Sequence, residues 1–380
     1  MDISWTTYDS HLAFLFVDEQ ERIIEFPTEW MRSQAKSAKK LADGTQHRYA
    51  EKVRDLCRFL GRHPIYGQWR VDDALRRMNR VMLNEFYRSL ESLGQGPAAV
   101  RLAEVAIKEF TNWLNSDEAN YAHTRPLYPE HAPLITPPPI KRIPRYLTEQ
   151  QVIQLLSGLH YEAQRLVVHF VYDTGLRISE VPRVLKSDLP DWRHYPDGMM
   201  YFPLLVRGSK GRARQLKERY TIISRPLLSR IAKHHNTKSY LFNYDFDNHR
   251  KPALLNVFGD VWTEDAIESL LVRAKVRAKL DDASCHRLRH GTAYSVLRSD
   301  HGKTMLDNLV ITQKMLGHAD IGTTEIYTAI PAPVLAKIRN AYGISEAKPR
   351  FEEAQQIFDK TYLPEKKEPP KKRIGVVNGE

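Results

Sequence analysis

Between Arg125 and Pro144 the chain carries seven prolines in twenty residues: Pro126, Pro129, Pro133, Pro137, Pro138, Pro139 and Pro144. Proline has no amide donor and fixes φ near −65°, so this stretch can form neither a helix interior nor a central strand. It shows no apolar periodicity either. Residues 125–146 therefore read as a stiff, basic, extended linker, which divides the chain into two bodies. At 380 residues the chain is long enough for two ordinary domains with full cores.

Upstream of the linker the pattern is helical. Tyr49, Val53, Leu56, Phe59 and Leu60 recur at the three- and four-residue spacing of one buried face. A second helix is expected over Asp72–Leu93, with Leu75, Met78, Val81, Met82, Phe86 and Leu90 inward. A third is expected over about Ala98–Leu114, carrying Val105, Ile107, Phe110 and Trp113. Lys52, Arg54, Arg58 and Arg62 lie on or beside the polar face of the first. Residues 45–124 thus predict a small helical domain with basic outer faces, suited to DNA. Residues 1–44 read as an N-terminal appendage: a strand-like piece at His11–Val17, then a basic helix-like run from Trp30 to Lys40.

Composition narrows the partners. A formal net charge of +11 suggests a polyanion, because neutralising phosphates and releasing counterions is the generic drive for nucleic-acid binding. No stretch reaches the roughly 18 consecutive apolar residues of a membrane span. Met1–Trp5 lacks the basic-then-apolar layout of a signal peptide. Two cysteines, Cys57 and Cys285, make neither a disulfide framework nor a Cys-rich zinc site. They read as reduced thiols in a cytoplasmic protein.

The second body, residues 147–345, opens with a capping box, Thr148 followed by Gln151. A helix over Val152–Leu159 and an apolar helix over Ala163–Tyr172 follow. Then come a glycine break at Gly175 and a new helix with Arg177 in its first turn, where Glu180 is spaced to pair with it. Residues 199–223 read as a β-hairpin whose tip, Arg207–Arg214, is dense in cations. From Leu227 to the 280s the pattern is mainly helical. It reaches Cys285-His286-Arg287-Leu288-Arg289-His290, in which His286 and Arg289 share a helix face. Cys285 and His286 are adjacent, point apart on a helix and do not read as a nucleophile pair.

Farther on, Lys314-Met315-Leu316-Gly317-His318 ends a short helix at a glycine, and Asp320 is placed to cap another that carries Tyr327. A last helix is expected over about Pro333–Tyr342. Residues 346–380, mixed in charge and interrupted by prolines, read as a flexible tail able to dock on a neighbouring protomer or on DNA.

In order, this body offers Arg177, Lys210, His286, Arg289, His318 and Tyr327. In their local contexts they resemble the tyrosine recombinase (phage integrase) family. Gly175-Leu176-Arg177-Ile178-Ser179-Glu180 is similar to the family's first arginine box, and His286-Arg287-Leu288-Arg289-His290 to its His-x-x-Arg box. Leu316-Gly317-His318 through Thr323-Thr324-Glu325-Ile326-Tyr327-Thr328 is similar to its nucleophile box. The resemblance covers roughly 147–345, and more loosely the helical domain. It implies a mainly α fold with a small antiparallel sheet in the catalytic domain, and a two-domain clamp around DNA.

It also implies a chemistry that explains these residue types. Arg177 and Arg289 would clamp the non-bridging oxygens of a phosphodiester as negative charge develops there. His286 and His318 would add hydrogen bonds and assist the tyrosine proton. Tyr327 would form a 3′-phosphotyrosyl link, and Lys210 would protonate the leaving 5′-oxygen. The stored bond would allow resealing without ATP, metal or cofactor. Lys217 competes with Lys210, because the hairpin is longer than the family's usual one. Lys210 is preferred because it sits between Gly208 and Gly211. The stretch Ser299–Asn308 is also longer than usual.

The implied partners are double-stranded DNA, further copies of the chain in a tetramer, and accessory DNA-bending or directionality proteins, with no membrane. The extra N-terminus and tail favour a mobile-element integrase over a housekeeping resolvase. A type IB topoisomerase-like nicking-closing enzyme and a catalytically silent DNA-binding protein remain the competing readings.

Overall fold

The structure, a computed structural model, describes residues 1–8, 11–36, 41–129, 132–138, 144–209, 217–243, 245–247, 250–299, 301, 305–317 and 350–364. The expected helix at 333–342 lies outside them. The described chain is mainly helical, with two small antiparallel sheets of two strands each. It splits into two compact units near residue 141.

In the first unit, β1 (Asp2–Tyr8) pairs with β2 (His11–Val17), with Asp2 opposite Val17 and Tyr8 opposite His11. Five helices follow: α1 (Glu25–Lys36), α2 (Asp43–Arg62), α3 (Val71–Arg76), α4 (Arg80–Ser92) and α5 (Pro97–Leu114). The expected helix 72–93 is two helices. Asn79 breaks it, because its side chain accepts hydrogen bonds from the amides of Val81 (2.9 Å) and Met82 (3.1 Å) as the N-cap of α4. Pro97 starts α5, where its missing amide is not needed. The stretch read as an appendage shares the unit's core: Phe16, Trp30 and Met31 are buried with Leu56, Phe86 and Phe110. The Trp30 and Phe110 rings stand 5.2 Å apart.

The second unit begins with α6 (Glu149–Ser157), whose capping box forms as expected between Thr148 and Gln151. Helix α7 (Glu162–Thr174) ends at Gly175, with φ +65°, the left-handed C-cap that glycine adopts without strain. Arg177 is not inside a helix. Its backbone is extended, and it caps a 3₁₀ helix over Ile178–Arg183. Strands β3 (Tyr201–Ser209) and β4 (Lys217–Ser224) form the expected hairpin, with a register shift between Val206 and Ser209.

Then follow α8 (Arg225–His235), α9 (Lys238–Leu241), α10 (Glu264–Arg277), α11 (Cys285–Leu297) and α12 (Met305–Leu316). The core joins α6, α7, α8, α10, α11 and the hairpin through Leu155, Phe170, Phe202, Ile231, Ile267 and Leu288. A smaller cluster of Tyr294, Leu297, Leu309 and Leu316 holds α11 to α12.

The charged tail carries one element that is not a loose arm. Arg350–Thr361 forms α13, with Ile357 fully buried and Phe358 7% exposed. Two of its charged residues, Arg350 and Glu353, are buried as well. Glu353 accepts hydrogen bonds from the hydroxyls of Tyr172, at 2.5 Å, and Ser295. Arg350 donates to the Asp173 carbonyl and to Ser295 Oγ (3.2 Å). Charge alone makes this segment look solvated, but Arg350 and Glu353 meet buried partners on α7 and α11.

Candidate active site

Lys210, His318 and Tyr327 lie outside the described residues, as does everything else at 318–349. The side chain of Lys217 is not described. What the structure places is Arg177, His286 and Arg289, together with the segments that lead to the other positions.

Arg289 lies on the inner face of α11 and is 6% exposed. Its Nη1 donates to the carbonyl of Gly175 and its Nη2 to the carbonyl of Leu316, at 2.5 Å. One guanidinium therefore joins the end of α7, two residues before Arg177, to the end of α12, two residues before His318. These carbonyls are the unpaired acceptors that helix C-termini leave, and a cation there is favourable. Gly175 allows the close approach: a Cβ there would lie 2.9 Å from Leu316 Cδ2 and 3.1 Å from Thr292 Cγ2.

Arg177 keeps a third of its side chain exposed and pairs with Glu180, Nη1 to Oε1 at 3.1 Å. The same carboxylate accepts from the Arg177 amide at 2.9 Å and is itself buried. The pairing expected from the three-residue spacing is present, although it bridges a cap and a 3₁₀ turn rather than one helix face. His286 starts α11 and faces solvent, with its ring 4.1 Å from that of His290. Partial desolvation, and then the charge of Arg289, lower its proton affinity below that of an ordinary histidine. The shift favours the neutral ring, the form that can accept a proton. Cys285 has its thiol pushed up to about 12 by burial, so it carries no thiolate character.

One residue of the cluster was not singled out in the sequence. Arg219 on β4 donates from Nη2 to Glu180 Oε2 at 2.7 Å and from Nη1 to the Met315 carbonyl, with 9% of its side chain exposed. Strand alternation carries the signal. Arg219, Thr221 and Ile223 fall on one face, where Thr221 and Ile223 are buried, while Tyr220 between them is 65% exposed. A lone cation on the inward face of a strand needs a buried partner.

Among the described residues no group of three or more His, Cys, Asp or Glu is placed to hold a metal ion. No helix among them is long and apolar enough to cross a membrane.

The fold has counterparts among solved structures. The chain's fold matches that of the XerH site-specific recombinase bound to palindromic difH substrate, with TM-score 0.57 at 18% identity over 78% of this chain and 80% of that one. It also matches a lambda integrase dimer bound to a COC′ core site, with TM-score 0.55 at 14% identity over 77% and 95%. At these identities the likeness is one of fold.

In sequence, the tyrosine recombinase of Thermosipho africanus is 24% identical over 296 residues, 75% of this chain and 88% of the relative. The tyrosine recombinase XerA of Saccharolobus solfataricus is 25% identical over 311 residues, 79% and 86%. Residues 145–332 match the phage integrase family. The chain belongs to that family, the tyrosine recombinases, and is a tyrosine-type DNA strand transferase.

Proposed function

We propose that the chain is a site-specific DNA recombinase that cuts and rejoins double-stranded DNA through a 3′-phosphotyrosyl intermediate on Tyr327. The observation that carries this reading is the placement of Arg289. Its hydrogen bonds to Gly175 and Leu316 bring the turn of Arg177 and the approach to His318 to one point.

In the proposed reaction the phenol oxygen of Tyr327 attacks the scissile phosphorus, and the bond to the 5′-oxygen breaks. Arg177 and Arg289 hold the non-bridging oxygens, whose charge grows in the transition state. His286 and His318 accept or relay the tyrosine proton. Lys210, with Lys217 as the competing candidate, gives a proton to the departing 5′-oxygen. The phosphotyrosyl bond conserves the energy of the broken one, so a 5′-hydroxyl from a second strand can reseal it without ATP, metal or cofactor.

The same reading takes four copies of the chain on two duplexes, with protomers cutting in turn. It includes accessory DNA-bending or directionality proteins and a role in a mobile element, acting on DNA in the cytoplasm. The solved lambda integrase tetramer bound to a Holliday junction shares the fold, with TM-score 0.54 at 12% identity, and supports the assembly. In this reading residues 45–124 bind DNA, 147–345 are catalytic, and the 125–146 linker straps them together.

A two-site plasmid tests the proposal. A duplex selected for binding from random sequence is placed twice in one supercoiled plasmid. A recombinase releases two circles and leaves single-site plasmids intact. Relaxation of a plasmid that carries no site, with no circles from the two-site one, would instead establish a nicking-closing enzyme.

A further inference from the structure

The six residues expected to do the chemistry leave a seventh charged group unexplained. Arg219 is more deeply buried than Arg177, with 9% of its side chain exposed against 32%. A methionine would be cheaper to bury at such a position, because a guanidinium loses its hydration on leaving water. Its Nε is buried without a hydrogen-bond partner among the described residues, so the site is not optimised for stability. What the fork gains is geometry. One arm holds Glu180 Oε2 at 2.7 Å, while Glu180 Oε1 accepts from Arg177 Nη1 at 3.1 Å. The other arm holds the carbonyl of Met315.

The stem of Arg219 lies directly under the end of α12. A Cβ on Gly317 would stand 2.6 Å from Arg219 Cδ and 2.7 Å from Nε, and Gly317 has φ +62°. Glycine at 317 thus does two things: it takes the left-handed turn and lets the arginine pass beneath. Arg289 makes a second, separate bracket between the same two regions through Gly175 and Leu316. Two brackets fix a separation and an angle, where one would leave a pivot.

We propose that Arg219 is a positioning residue of the strand-cleaving site. Through Glu180 and the Met315 carbonyl, it sets the Arg177 turn against the helix end from which His318 follows. This rests on the function proposed above, in which Arg177 and His318 act on one phosphate. A planar fork with two arms is needed, because a single ammonium centre cannot hold the carboxylate and the carbonyl in the same geometry.

The test is single-turnover cleavage of a nicked duplex by the full chain, with DNA affinity and the urea midpoint measured in parallel. Arg219→Met should bind the duplex within about twofold of wild type and unfold cooperatively. Its cleavage rate at saturating DNA should fall at least tenfold, with the half-saturating concentration unchanged. Arg219→Lys should recover part of that rate and not all of it. A purely structural role would lower affinity and rate together, whereas the midpoint falls in either case because the buried Glu180 loses a partner. Cleavage by Arg219→Met within twofold of wild type, or a loss that tracks affinity, overturns the proposal. If Arg219→Met does not fold, Arg219→Lys decides: a wild-type rate overturns it. Tyr327→Phe is run alongside, and cleavage by that variant would displace the proposed nucleophile while leaving the Arg219 comparison intact.

Discussion

Replacing Arg230 by methionine should release α13 from the second unit. Arg230 on α8 has a fully buried side chain and donates to Glu162 at 2.6 and 2.9 Å, Nε to Oε1 and Nη2 to Oε2. Its remaining donors reach Thr361 Oγ1 (3.0 Å) and the Thr361 carbonyl (3.2 Å) at the end of α13. Nη1 also lies 3.2 Å from His169 Nδ1. A guanidinium only donates, so Nδ1 must be the acceptor, and burial beside this cation holds His169 neutral, its pKa well below 6.5.

Methionine keeps the stem's volume and removes every one of these donors. Breaking a buried ion pair from one side costs about 3–5 kcal/mol, because the partner stays buried without its counter-charge. Glu162, with an 11% exposed side chain, is that partner. Ile357 and Phe358 would still hold α13 by burial, at about 1.5–3 kcal/mol each. The helix should therefore become labile rather than vanish. Urea unfolding should show a loss of at least about 3 kcal/mol, and amide exchange over 350–361 should accelerate selectively. Adding Glu162→Gln should return much of the loss. A loss below about 1 kcal/mol, or unchanged exchange in α13, would refute the reasoning that buried polar contacts dock this helix.

Arg289→Met should leave duplex binding nearly intact and slow covalent-complex formation by about 10²–10³-fold in single-turnover assays, the usual effect of removing one donor aimed at a developing oxyanion. Near-normal cleavage would remove Arg289 from the clamp. Stability should fall with acid. Burial lowers His234 to about 3 and His235 to about 4, both from 6.5. Their folded values lie below the unfolded one, so their stabilising contribution is complete above about pH 6.5 and is lost as pH drops toward 4 and 3. At about 1.4 kcal/mol per pH unit per group, the two together can remove up to about 4 kcal/mol by pH 5. Urea midpoints at pH 7 and 5 check this; equal values in wild type, or no flattening in His235→Gln, would contradict it.

The parts legible in the sequence were those set by local chemistry. The Thr148–Gln151 capping box, the glycine stop at Gly175 and the 199–223 hairpin depend on neighbours a few residues away, and each formed where expected. The break at Asn79 was readable in principle, but the apolar spacing of Leu75 through Leu90 continues across it and masks the cap. Arg219 and α13 were not legible for a different reason. Their partners are far along the chain: Met315 lies 96 residues from Arg219, and Thr361 lies 131 from Arg230. A charged residue read alone is assigned to solvent, and only the tertiary structure supplies the buried carboxylate or carbonyl that reverses that assignment. For the same reason the 1–44 segment looked separable, although Trp30 meets Phe110 eighty positions later.

The most direct measurement of the central claim is covalent trapping on a nicked duplex that carries a bound site, in EDTA, comparing wild type with Tyr327→Phe on a denaturing gel. The account predicts a shifted, protease-sensitive DNA band with wild type alone, and equal DNA binding by both proteins. A band that persists in Tyr327→Phe, or no band with wild type on a site it demonstrably binds, would contradict it.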